Sequence, residues 1–121
     1  MSLVTQTSII AGCTVVSVRG DIDLGGVPHL HNDLVHVTQR RRGETVVVDI
    51  DAVEVCDDTG LGVLLGSAGR AREHGGDMIV VCSDRALRSR LERTGFDRAV
   101  NVVASISEAA TMATAAATAS P

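Results

Sequence analysis

An α/β single domain on a mixed, mostly parallel β-sheet, with about four helices and an N-terminal β-hairpin, is what this sequence predicts. Three observations predict it. Short β-branched runs alternate with amphipathic segments, the pattern of parallel βαβ units. The chain has 121 residues, enough for one domain and one core. It is 45% hydrophobic yet holds a single Phe and no Trp or Tyr, so its core must be Val, Ile, Leu and Ala, which suits strands backed by helices.

The elements follow in order. Thr7–Ala11 and Cys13–Arg19 read as two strands broken at Gly12, with Val16 and Val18 facing one side and Ser17 and Arg19 the other. Residues 20–26 read as a loop. A helix starts near Pro28, a residue favoured at the first helical position. Its apolar face is Val27, Leu30, Leu34 and Val37. Arg40, Arg41 and Arg42 suit the negative end of the dipole, and Gly43 suits the cap. Thr45–Ile50 is the most buried strand. A second helix, roughly Gly60–His74, turns Leu61, Leu64, Leu65, Ala68 and Ala71 inward and stops at Gly75-Gly76. Asp77–Cys82 is a strand. Asp84–Thr94 is a third helix, anchored by Leu87 and Leu91 and closed by Gly95. Ala99–Val103 is the last strand. Ser105-Ile106-Ser107-Glu108 is a capping box that opens a final helix. The domain is expected to span residues 1–113, with the Ala/Thr-rich residues 114–121 as a flexible tail.

Charge excludes whole classes of chemistry. All eleven basic residues are Arg, so every mechanism that needs a lysine is ruled out: a P-loop, a Schiff-base enzyme, a protein kinase, a lysine-dependent phospho-receiver. The net charge of −4 and the pI near 5.4 disfavour nucleic acid as a partner. The near-absence of aromatics removes base-stacking surfaces. Residues 1–11 lack a basic region and a long apolar stretch, so no signal peptide is expected, and no apolar run is long enough to span a membrane. Cys13, Cys56 and Cys82 form neither a disulfide framework nor a zinc motif. A reducing cytoplasm and no membrane partner are the expectation.

One segment carries more information: Asp57-Asp58-Thr59-Gly60-Leu61-Gly62-Val63-Leu64-Leu65-Gly66, between the buried strand and the second helix. Sites of α/β domains sit at such junctions. Thr59 reads as the N-cap of the helix, its hydroxyl near the positive end of the dipole. Plain capping is one reading; a site for a phosphoryl group is the other.

With its surroundings this segment resembles the STAS domain, and within it the bacterial anti-sigma factor antagonists. The resemblance runs from about Thr7 to Ala113. It rests on Gly20-Asp21-Ile22-Asp23, Val46-Val47-Val48-Asp49, Asp57-Asp58-Thr59-Gly60-Leu61-Gly62 and Gly95-Phe96, in that order. It implies a binding protein rather than an enzyme. In the family, an anti-sigma factor that is also a serine/threonine kinase phosphorylates the hydroxyl residue just before the motif glycine, here Thr59. The unphosphorylated antagonist binds the anti-sigma factor and frees a sigma factor for transcription; a phosphatase, of PP2C type, resets the cycle. By the same match Asp23 and Asp57 belong to the partner-facing surface. Asp58 departs from the family, which often has Ser or Thr there, and puts a fixed negative charge beside the acceptor. The alternative within the resemblance is an adaptor subunit of a transport or sensory complex, with a structural Thr59.

Gly62, Gly66 and Gly69 recur on one stripe of the second helix, where each glycine costs about 1 kcal/mol against Ala. Close approach of a backbone would offset that, either from a partner or from a neighbouring helix of the same domain. The expected partner surface is therefore Asp23, Asp57, Asp58, Gly60, Gly62 and Gly66.

Other signals are set aside. Gly60-x-Gly62-x-x-x-Gly66 has the wrong spacing for a dinucleotide fingerprint. Asp49, Asp51, Asp57 and Asp58 mimic a receiver's acidic cluster but lack its lysine. His29, His31 and His36 share a helix without metal-chelating spacing. Arg85 and Arg88 read as a solvated face, and Cys56 as an inert thiol. No catalytic constellation, metal site or cofactor is expected.

Overall fold

The computed structural model describes residues 2–119. Val4–Ile10 (β1) and Cys13–Ile22 (β2) form an antiparallel hairpin, followed by Val27–Arg40 (α1) and Thr45–Cys56 (β3). Asp58–Glu73 (α2), Asp77–Val81 (β4), Arg85–Arg93 (α3), Phe96–Ala99 (α4), Asn101–Val103 (β5) and Ile106–Ala119 (α5) complete the chain. The sheet order is β1-β2-β3-β4-β5, parallel except at β1. The expected α/β class, hairpin and mostly parallel sheet are therefore present.

Strand periodicity sorts the core into two layers. Val16, Val18, Val46, Val48, Ile50, Met78 and Val80 point to one face, where Leu30 and Leu34 of α1, Leu61 and Leu64 of α2, Leu91 of α3 and Phe96 of α4 cover them. Val15, Val47, Ile79, Val81 and Val103 point to the other, under Ala109 and Ala110 of α5. The hairpin turn is two residues, Ala11 (φ 52°) and Gly12 (φ 79°), both left-handed as a type I′ turn requires.

Five differences from the sequence reading matter. First, β2 and β3 run further than their β-branched stretches. Gly20, buried at φ 99°, sits in a register shift that bends β2 and lets Asp21 and Ile22 pair with Val55 and Cys56. The polar residues Asp51 and Glu54 read as loop but are outward-facing positions of a strand. Second, there are five helices among the described residues, because a short α4 precedes β5, which starts at Asn101 rather than Ala99. Third, α5 runs to Ala119, through residues 114–119 that the sequence reading assigns to a tail; alanine is the best helix former. Residues 120 and 121 lie outside the described residues. Fourth, Leu65 faces outward, 40% exposed. Fifth, Arg88 is no solvated residue: its guanidinium donates to the carbonyls of Cys82 and Val102, 3.3 Å each, tying α3 to the ends of β4 and β5. Half of the capping box forms, with Ser105 Oγ accepting from the Glu108 N–H at 3.1 Å, while the Glu108 carboxylate reaches one residue further back, to the Ala104 N–H at 3.0 Å.

Candidate functional site

The extensions of β2 and β3 build the site. They carry Ile22 and Cys56 to the C-terminal edge of the sheet, where the Asp57 N–H donates to the Ile22 carbonyl at 3.1 Å. That bond sets the chain's direction as it enters α2. Asp57 then caps the helix: its Oδ1 accepts from the Gly60 N–H at 2.9 Å, and its carbonyl accepts from the Leu61 N–H at 3.0 Å. The cap is therefore Asp57 and not Thr59, which is the second residue of α2.

The shift of cap frees the threonine. Thr59 is exposed, and its hydroxyl has no hydrogen-bond partner among the described residues. A capping hydroxyl would be held by a backbone N–H; this one is not.

Gly60, expected on the partner surface, is buried instead. A Cβ there would lie 2.4 Å from Ile22 Cγ2 and 2.8 Å from the Ile22 carbonyl oxygen. Only a glycine lets the first turn of α2 sit on the end of β2. The spacing of the motif thus has a packing cause: the residue after Thr59 is locked down, and Thr59 itself stays exposed.

Asp23 sits one residue beyond Ile22, half-buried, in the turn that leads into α1. Its carboxylate accepts from the Gly26 N–H at 3.1 Å, and its carbonyl accepts from Gly26 and Val27. The pairing of Ile22 with Cys56 brings Asp23 and Asp57 to the same sheet edge. The next residue, Leu24, is 75% exposed, more than any other large apolar side chain described.

Asp58 is exposed, and its Oδ1 accepts from Arg90 Nη2 of α3 at 2.7 Å. Its charge is thus partly neutralised within the molecule, although such an exposed pair adds little to stability. Arg90, like Leu24, is a site residue the sequence reading missed. A pair separated by 32 residues and joined only by tertiary folding leaves no local signal.

The glycine stripe is also outward. Gly62, Gly66 and Gly69 are exposed, and a Cβ at Gly62 or Gly69 would meet nothing within 4 Å. Packing among the described residues therefore does not require glycine at Gly62 or Gly69. Beside it, Leu61, Gly62 and Leu65 of α2 line a groove of about 210 Å³ against Gly95 and Phe96.

The cysteines are quiet. Burial pushes the Cys56 and Cys82 thiols up to about 11, so both are protonated at neutral pH and neither is a ready nucleophile. His29 pairs with Asp33 at 3.2 Å. Among the described residues no group of His, Cys, Asp and Glu is placed to hold a metal ion, and no helix is long and apolar enough to cross a membrane.

A model of the STAS domain family matches residues 5–109. Among solved structures, the chain is similar to an anti-sigma factor antagonist from Mycobacterium paratuberculosis, at 27% identity and TM-score 0.84, over 93% of this chain and 95% of that one. It is similar in fold to the phosphorylated form of the Bacillus cell fate determinant SpoIIAA, at 16% identity and TM-score 0.64, over 88% and 96% of the two chains. It also matches the murine anion transporter solute carrier 26 family member A9, at 15% identity and TM-score 0.76, over 94% of this chain but only 22% of that one. The last two likenesses concern fold alone. No curated protein matches the chain in sequence.

Proposed function

We propose that this chain, which belongs to the STAS domain family, is an anti-sigma factor antagonist that works by partner exchange in the cytoplasm. Unphosphorylated, it binds an anti-sigma factor with serine/threonine kinase activity and so frees a sigma factor; phosphorylated at Thr59, it lets the anti-sigma factor go. A PP2C-type phosphatase returns it to the binding form. The observation that carries the reading is the Thr59 hydroxyl, exposed and unengaged, at the start of a helix whose next residue is fixed in place. The relative from Mycobacterium paratuberculosis, which carries that role in its name, supports the same reading.

The physics of the switch is local. A phosphothreonine adds about −1.5 to −2 charges, whereas the helix terminus offers about +0.5. Asp57 and Asp58 already make the corner acidic, and Arg90 is spent on Asp58. A partner surface fitted to a neutral hydroxyl would then face repulsion and a desolvation cost. About 1.4 kcal/mol lowers affinity tenfold, so the fold need not change for binding to fail. The outward surface of Leu24, Asp58, Gly62, Leu65 and Gly66 is where the partner would rest.

An adaptor role in a transport complex, with Thr59 as a structural residue, fits the sheet and helices equally well. It fits Thr59 less well, because a structural hydroxyl is expected to hold something. The decisive experiment incubates the protein with the anti-sigma factors of its own genome and ATP, and maps phosphate by mass spectrometry. Phosphate at Thr59, binding retained in Thr59→Ala, and binding weakened at least tenfold in Thr59→Glu are the expected results. Phosphate elsewhere, or wild-type binding by Thr59→Glu, would overturn the switch.

A further inference from the structure

The strand β1 stands apart from everything described so far. It is an edge of the sheet, paired to β2 alone, and none of its seven residues is buried. Val4, Ile9 and Ile10 are 50%, 59% and 39% exposed. Edge strands of soluble proteins are normally blunted by a lysine, a proline, a bulge or a covering element. Val-Thr-Gln-Thr-Ser-Ile-Ile has no charge and no proline, and its register with β2 is continuous from Val4 to Ile10.

The absence of charge extends beyond the strand. No Asp, Glu, Arg or His precedes Arg19, and none follows Glu108. β1 itself and the part of α5 after Glu108 carry no charged side chain, and an open groove lined by Ile10, Ala11, Ile106, Ala110 and Thr111 among others joins them. The charges nearest β1 on the helical side, His29 and Asp33, pair with each other, and Asp33 also accepts from the Thr5 hydroxyl. Each copy of the chain carries a net −4, so two copies repel wherever charge is displayed. β1 adds no charge of its own to that repulsion; the charges beside it on the other face are Arg19, Asp49 and Asp51, of mixed sign, which share a groove with Val4, Thr5 and Gln6.

The order of side chains in β1 matches itself in reverse. Antiparallel pairing centred on Thr7 sets Val4 against Ile10, Thr5 against Ile9, Gln6 against Ser8 and Thr7 against Thr7. Every pair is β-branched on both sides except Gln6–Ser8, which is polar on both sides. Cross-strand pairs of those kinds are the stabilising ones. A Val4 from a second copy, set beside Ile10, would also point toward the mouth of the groove by α5.

We propose that β1 is a docking edge for a second copy of this chain. Two molecules pair β1 to β1 about a two-fold axis through Thr7, and their five-stranded sheets join into one. The pairing is isologous, so it closes on itself at the dimer and does not propagate. It uses the opposite side of the sheet order from the groove at Gly95 and Phe96, and it stands independently of the proposed function.

Sedimentation equilibrium of the full chain tests it, with three variants at exposed positions that leave the core untouched. The wild type is expected at twice 12.6 kDa, and Thr7→Lys, which sets two cations face to face at the axis, is expected to weaken association at least tenfold while keeping the wild-type circular dichroism spectrum. Directly opposed strand residues lie at disulfide-compatible separations, so Thr7→Cys should give a reducible covalent dimer under mild oxidation and Val4→Cys should not. A wild type that stays monomeric at high concentration would refute the proposal. So would a dimer indifferent to Thr7→Lys, higher oligomers in place of a dimer, or equal crosslinking by both cysteine variants.

Discussion

The α2 corner and the β1 hairpin are both exposed, and they are built by opposite means. At the corner the chain on either side of Thr59 is held: Ile22 holds Asp57, Asp57 holds Gly60 and Leu61, and Gly60 rests on Ile22. Charge surrounds it, from Asp23, Asp57, Asp58 and Arg90. At the hairpin the strand hangs from one neighbour, carries no charge, and displays aliphatic side chains. The contrast separates two kinds of recognition. Under the proposed function, one added phosphate would switch the rigid, charged corner. An uncharged edge cannot be switched that way, and suits an association that does not depend on the phosphorylation state.

The largest expected effect breaks the rigid side. Gly60→Ala places a methyl within 2.4 Å of Ile22 Cγ2 and 2.8 Å of a backbone oxygen that cannot move cheaply. A loss of about 3 kcal/mol is expected from such overpacking, read as a drop in the urea midpoint. An unchanged midpoint would mean that the α2 corner is soft. On the hairpin side the sign reverses. Ala11 holds φ 52°, a conformation that costs a non-glycine residue roughly 1 kcal/mol and that asparagine tolerates. Ala11→Asn is therefore expected to raise stability by up to about 1 kcal/mol, with the oligomeric state unchanged. The third effect sharpens the comparison within the corner itself. Gly62→Ala meets open space, so it should stabilise α2 by somewhat less than 1 kcal/mol. If the stripe receives a partner backbone, the same variant should bind the anti-sigma factor more weakly although it folds better. Thermal melts and a binding titration on one preparation decide it.

How far the sequence could be read follows the range of the interactions. Helix α1 was legible in Leu30, Leu34 and Val37, and α5 in its capping box, because both signals are local. The buried strands were legible in their β-branched runs. The ends of β2 and β3 were not: Gly20-Asp21 and Asp51 look like turn residues, and only the neighbouring strand makes them pair. At the α2 corner, Asp57 and Thr59 are both good cap residues, and spacing alone could not choose between them. The choice was made by the Asp57 N–H bond to Ile22, a contact across 35 positions. Arg90 was hidden for the same reason. Gly60 was legible as a glycine but not as a buried one, since the atoms that exclude its Cβ belong to another strand.

The three cysteines offer a last consequence. Cys13 lies under α5, Cys56 beneath the corner, and Cys82 at the end of β4 facing α3 and α4. All are shielded in the native state, and the latter two hold their protons well above neutrality. An alkylating reagent must therefore wait for the molecule to breathe, and each thiol clocks a different region. Without a single added label, the chain carries three natural stopwatches: one for the helix on the far face, one for the α2 corner, and one for the end of β4 under α3 and α4.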